Sequence, residues 1–214
     1  RIVFDPKAPT MMYFGIGERG RGELAQDLTK PNGKIYRVKA DGETPSDNPF
    51  VGVKDAYRSI WSFGHRNPQG LVFDLEGNLW DTEHAPRGGD EVNLVLKGRN
   101  YGWPIVSYGI NYQGTPLSVP FPDVAGKPAE GKDIMMPAYR WMPSTGACGL
   151  TVVKPGAEGE AFPKWKGDLI AGGLSGENVD RLRMKDGKLV EHEELIYGMG
   201  RVRDVVCGRD GSIY

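Results

Sequence analysis

Two stretches of this chain carry side chains able to do chemistry. Phe63-Gly64-His65-Arg66-Asn67-Pro68-Gln69-Gly70-Leu71 holds an Arg-Asn pair, a His and a Gln. Glu83-His84-Ala85-Pro86-Arg87-Gly88-Gly89-Asp90-Glu91-Val92-Asn93 holds a second His, two adjacent carboxylates and a Pro/Gly turn. The planar fork of an arginine suits a carboxylate-bearing ligand. Between the two stretches, Leu71-Val72-Phe73 and Leu79-Trp80 flank a turn at Glu76-Gly77-Asn78, which predicts a hairpin with polar loops at both ends. Loops held by a rigid sheet are where binding groups sit. On composition alone a second reading stays open: Gly, Asn, Asp and Pro also fill turns for backbone reasons.

The elements that must position these loops are strands. Gly (31) and Pro (16) are frequent among 214 residues, and turns separate short apolar runs, which indicates an all-β fold. A weak repeat of apolar run, Gly-containing turn and second apolar run recurs. It joins Arg1–Phe4 to Met12–Gly15, Leu71–Asp74 to Gly77–Trp80, Gly149–Val153 to Gly167–Ala171, and Val205-Val206 to Asp210–Tyr214. Its spacing of roughly 50 to 80 residues exceeds the ~40–45 of a minimal four-stranded propeller blade, so long loops are expected. Lys34–Val38, Glu91–Val95 and Val179–Met184 alternate apolar and polar residues and are read as outer strands. Glu23–Leu28 suits one helical turn, and 105–137 reads as a long insertion loop.

Net charge is -1, from 27 basic and 28 acidic residues, which argues against nucleic acid or an anionic membrane as main partner. No apolar stretch approaches a membrane span. Cys148 and Cys207 each lie in an apolar run and read as buried thiols. No Cys or His spacing suggests zinc. No targeting segment is visible, and both ends fall inside strand-like runs, so the chain is expected to be part of a longer protein.

Gly64–Leu71, Asp90–Leu94 and Lys97-Gly98-Arg99-Asn100-Tyr101-Gly102-Trp103-Pro104 together resemble the soluble glucose/sorbosone dehydrogenase family, the PQQ-dependent aldose sugar dehydrogenases. Arg1–Phe4 with Gly15–Glu18, and Arg201–Val205 with Asp210–Tyr214, extend the resemblance to both ends. It implies a six-bladed β-propeller, with residues 1–214 forming roughly four blades of a single domain truncated at both ends. It implies oxidation of an aldose at C1 to the lactone, with PQQ and Ca²⁺ as cofactors and electrons leaving to an external acceptor.

The resemblance also implies roles. Arg66, Asn67, Arg201 and Arg203 match cofactor-binding positions, and Trp141 matches a Trp bordering the cofactor and sugar pocket. On a strand, Arg201 and Arg203 share one side, as i and i+2 must. Ala85 and Pro86 match the backbone-carbonyl ligands of the cofactor calcium, Ala85 standing where Gly is more frequent. Glu91 and Tyr101 match a second calcium site, through a carboxylate and a main-chain oxygen. Asp90 matches a carboxylate that supports the catalytic His. That His is expected upstream of Arg1, because none of His65, His84 or His192 occupies its place. The family's Lys near Ser175 is absent, since no Lys occurs between Lys166 and Lys185. A periplasmic or secreted location is implied, and a second calcium at a subunit contact is consistent with a homodimer. The alternatives are a non-catalytic propeller binding module of the same ancestry and a calcium-dependent lactonase.

Overall fold

The computed structural model describes residues 1–115, 117, 133–157, 159 and 161–214. The unassigned part of the 105–137 insertion lies outside these residues.

Three four-stranded antiparallel sheets follow one another along the chain. The first contains β1 (Ile2–Asp5), β2 (Ala8–Ile16), β3 (Lys34–Lys39) and β4 (Ile60–Phe63). The second contains β5 (Pro68–Phe73), β6 (Leu79–Glu83), β7 (Asp90–Leu94) and β8 (Tyr139–Trp141). The third contains β9 (Ala147–Val152), β10 (Leu169–Gly173), β11 (Asn178–Lys185) and β12 (Lys188–Tyr197). Within each sheet the strands lie in chain order, and β5 touches both β1 and β9. The first strands are therefore the inner ones, as in a propeller. Val206 and Tyr214 exchange backbone hydrogen bonds at 2.9 Å and Cys207 bridges Ile213, a short antiparallel pair beyond the third sheet.

The hairpins expected from the repeat are the first two strands of each sheet. The three alternating segments read as outer strands are instead third strands. The outermost strands were hidden because β4 and β8 have only four and three residues, and β12 is charged along its length. What holds β12 is pairing with β11: Arg181 reaches Glu191 and Glu193, and Arg183 reaches Glu191. Gly22–Gln26 forms one 3-10 turn where a helical turn was expected.

The apolar core lies between neighbouring sheets, not inside any one of them. Tyr13, Ile35, Leu71, Leu79 and Val95 join the first two sheets. Trp80, Val92, Trp141, Leu150, Leu169 and Leu182 join the second and third. Cys148 is buried and Cys207 half-buried, and both are free thiols.

Candidate cofactor and metal site

One end of the second sheet gathers the motif residues. The turn 64–67 connects β4 to β5, and the loop 84–89 connects β6 to β7, so antiparallel pairing brings both to the same end. Chain 99–103 joins them: Tyr101 N–H donates to the Phe63 carbonyl and Trp103 N–H to the Gly64 carbonyl, each at 2.8 Å. Gly64 has φ +76°, and a Cβ there would strike Asn100 Oδ1 and the Gly102 nitrogen, so this turn needs glycine.

Arg66 is half-buried between these segments. Its Nη1 donates to the carbonyls of His84 (2.8 Å) and Ala85 (3.1 Å). Its guanidinium carbon lies 5.3 Å from the centre of the Trp103 ring, a cation–π distance. Nε has no partner, and neither has the buried Nε1 of Trp103. Beneath them is a cavity of about 20 Å³, room for one water or ion, lined by Arg66, Glu83, His84, Ala85, Glu91, Tyr101 and Trp103 among others. A larger groove of about 560 Å³ lies at the opposite end of the β5–β6 hairpin, lined by turn residues such as Asp74, Asn78 and Asp186, and contains none of the candidate site residues.

The donor set of the small cavity fits a hard cation. Glu83 and Glu91 stand directly opposite each other on β6 and β7, an arrangement of like charges that is unfavourable by itself. Burial, and after it the charge of Glu83, push the Glu91 carboxyl up to about 8. A Ca²⁺ ion would reverse that preference, and it accepts carboxylate and carbonyl oxygens alike. Among the described residues no backbone N–H donates to the carbonyls of Ala85, Pro86 or Tyr101; the Ala85 oxygen accepts from Arg66 Nη1, so a cation there would share it with, or displace, the guanidinium.

Asp90 is buried and fully engaged. Oδ1 accepts from Ala85 N–H (3.0 Å) and Ser144 Oγ–H (2.8 Å), and Oδ2 accepts from Ala147 N–H (2.8 Å). It thus ties the 84–86 loop to the segment between β8 and β9. Burial lowers the imidazole of His84 below its ordinary value, and its Nε2 is buried without a partner.

The remaining candidates divide. Gln69 Nε2 donates to Asn67 Oδ1 at 3.0 Å, Cys148 Sγ lies 3.9 Å from Gln69 Oε1, and Arg203 Nη1 lies 3.8 Å from Cys148 Sγ. Arg203 is therefore linked through Cys148 and Gln69 to Asn67. Val202 between the two arginines packs on the core while Arg201 and Arg203 are both exposed, in a segment that forms no strand. Arg201 makes no hydrogen bond or ion pair with the group around Arg66. His192, read as solvent-facing, lies exposed on β12, with Nε2 at 3.2 Å from Asp180 Oδ2.

Trp141, matched by the resemblance to a tryptophan bordering the pocket, lies between two blades. Its ring is 6% exposed within the core between the second and third sheets, and Nε1 donates to Asp180 Oδ2 at 2.5 Å. A buried indole N–H goes where an acceptor is, and here the acceptor lies on the neighbouring blade, away from the cavity. The aromatic ring that Arg66 lies against is Trp103, which lay in the quoted motif without a role. Its position immediately after a turn glycine, near the Arg-Asn pair in the motif, was the available signal. Glu83 was missed as well.

The family model for glucose / sorbosone dehydrogenases matches residues 1–214. The chain belongs to the glucose/sorbosone dehydrogenase family. It is 38% identical over 216 residues to aldose sugar dehydrogenase YliI of Escherichia coli (strain K12), covering 100% of this chain and 55% of that protein. A crystal structure of a glucose dehydrogenase is similar with TM-score 0.88 at 38% identity, covering 100% of this chain and 59% of the other. The PQQ-bound form of aldose sugar dehydrogenase from Streptomyces coelicolor is similar with TM-score 0.71 at 28% identity, covering 96% and 51%. The chain spans between half and three-fifths of the length of these relatives.

Proposed function

We propose that the full protein of which this chain is part is a PQQ- and calcium-dependent aldose dehydrogenase, oxidising the sugar at C1 to the lactone and passing electrons to an external acceptor. The observation that carries this reading is the placing of Arg66: its fork lies on the loop carbonyls of His84 and Ala85, against Trp103, over a cavity walled by Glu83 and Glu91. An arginine beside loop carbonyls and paired carboxylates suits a polycarboxylate and a cation bound together.

In this reading PQQ, when bound, supplies the two-electron acceptor. The chain's residues bind and orient. Arg66, Asn67 and Arg203 offer donors to carboxylates, with Arg201 completing the set. Trp103 gives a flat apolar wall. The carbonyls of Ala85 and Pro86 hold the cofactor calcium, and Glu91 with the Tyr101 carbonyl hold the second. The anomeric hydroxyl must lose a proton to a base. His65 is sealed from solvent, His192 sits on an outer strand, and His84 lines the small cavity beside Arg66, off the position that the resemblance gives the base. The base is the His that the family resemblance places ahead of Arg1, with Asp90 supporting it. Residues 1–214 belong to a single propeller domain; a periplasmic or secreted setting and a homodimer accompany the reading.

The test uses the full-length apoprotein. PQQ and Ca²⁺ together should confer dye-linked oxidation of aldoses, and each should be required. Full activity in excess chelator refutes the role of calcium. The missing Lys near Ser175 favours a second reading, a binding module, and PQQ binding without any turnover would select it.

A further inference from the structure

Glu83 is 4% exposed on β6, and its carboxylate accepts four hydrogen bonds. Oε2 accepts from the backbone N–H groups of Arg66 (2.7 Å) and Asn67 (3.2 Å). Oε1 accepts from His65 Nδ1 (2.5 Å) and Asn93 Nδ2 (3.3 Å). His65 is itself locked: Nε2 lies 2.8 Å from Ser62 Oγ on β4, and the ring stacks on Tyr101 at 4.5 Å. One carboxylate therefore ties β4, β6 and β7 to the turn that presents Arg66 and Asn67.

His65, Asp81 and Glu83 bring their ligand atoms within 4.8 Å of one another, a spacing that could hold a metal. The hydrogen bonds argue otherwise. A carboxylate offers about four acceptor directions, and all four of Glu83's are taken by N–H donors, two of them from backbone that cannot turn away. We infer that Glu83 is a positioning residue for the cofactor: it sets the Arg66–Asn67 turn through that turn's own amides. This rests on the reading of the turn as part of a PQQ site. The geometry explains why the anchor is a carboxylate. Two consecutive N–H groups converge on one oxygen, and charge-assisted bonds hold them more tightly than a neutral acceptor would.

Asp81 provides a matched control. It is two residues away on the same strand and fully buried; its Oδ2 lies 3.5 Å from His65 Nδ1, and it makes no hydrogen bond to the Arg66 or Asn67 amides. In the full-length protein, PQQ affinity is measured by titration for wild type, Glu83→Leu, Glu83→Gln and Asp81→Leu. Glu83→Leu should weaken PQQ binding at least about tenfold, equivalent to about 1.4 kcal/mol. Glu83→Gln keeps one oxygen for the two amides and should recover most of the loss. Asp81→Leu should stay within about twofold of wild type, because Asp81 meets the turn only at His65, which Glu83 and Ser62 still hold, and leaves the Arg66 and Asn67 amides on Glu83. Equal affinity of Glu83→Leu and wild type, or an equal loss in Asp81→Leu, overturns the inference.

Amide exchange reads the turn without any cofactor. In the wild-type protein the Arg66 and Asn67 amides should exchange at least about a hundredfold slower than in a free peptide, and free-peptide rates would overturn the inference even if Glu83→Leu fails to fold. Slow exchange in a wild type that binds no PQQ would leave Glu83 as the anchor of the turn and remove the cofactor reading instead.

Discussion

If Glu91 holds calcium through its carboxylate, binding must expel the proton that burial and Glu83 keep there. With that carboxyl pushed up to about 8, roughly one molecule in ten is ionised at pH 7 and roughly one in a hundred at pH 6. Apparent calcium affinity should therefore rise about tenfold from pH 6 to pH 7 and level off above pH 8, each tenfold step being about 1.4 kcal/mol. The sign for stability is opposite in the metal-free protein. There the folded state holds a proton that the unfolded chain releases above its ordinary value of 4.5, so this contribution is full below pH 4.5 and is lost as pH rises towards 8. Calcium should stabilise most at the alkaline end of that window. The assay is titration calorimetry of the full-length protein without PQQ, at pH 7, in two buffers of different ionisation enthalpy. About 0.9 proton should be released per calcium bound, from the ionised fraction above. Glu91→Gln should release none and bind more weakly. Calcium binding to wild type with no proton release at pH 7 refutes the reasoning, because the ligand would then be a group already ionised.

Arg66→Lys keeps the charge but loses the planar guanidinium that lies on Trp103 while Nη1 bonds both loop carbonyls, and should weaken PQQ at least about tenfold in a titration. Unchanged affinity would remove Arg66 from the site. Trp141→Ala should cost about 3–5 kcal/mol in urea unfolding, since it empties the core between two blades and strands Asp180, while PQQ affinity of the folded protein stays within about twofold. Asp90→Asn should lower turnover by about a hundredfold or more and also cost about 1–3 kcal/mol, because an amide cannot accept from Ala85, Ser144 and Ala147 together. Normal kcat with the stability loss alone would make Asp90 only a loop clamp.

Local pattern carried the strand pairs that begin each blade, because a turn such as Glu76-Gly77-Asn78 and its flanking apolar runs are neighbours in sequence. It could not carry β8, whose Tyr139–Trp141 are strand only by pairing with Asp90–Val92 across an insertion of more than forty residues. The same limit divides the site. Arg66, Asn67, Asp90 and Glu91 stand out by type within one motif. The role of a tryptophan is decided by where its N–H finds an acceptor: Asp180, one blade on, draws Trp141 into the core, while Trp103 stays beside Arg66. Glu83 shows the point most sharply. In sequence it is one acid before a His. In space its four bonds make it the shared wall of two devices, the turn that would bind carboxylates and the cavity that would bind a cation. The same negative charge orients the Arg66–Asn67 amides and disfavours an anion at Glu91, so any cation placed beside Glu91 relieves a repulsion that the arginine turn requires. Filling the metal site and ordering the cofactor turn are, on this geometry, coupled through one side chain.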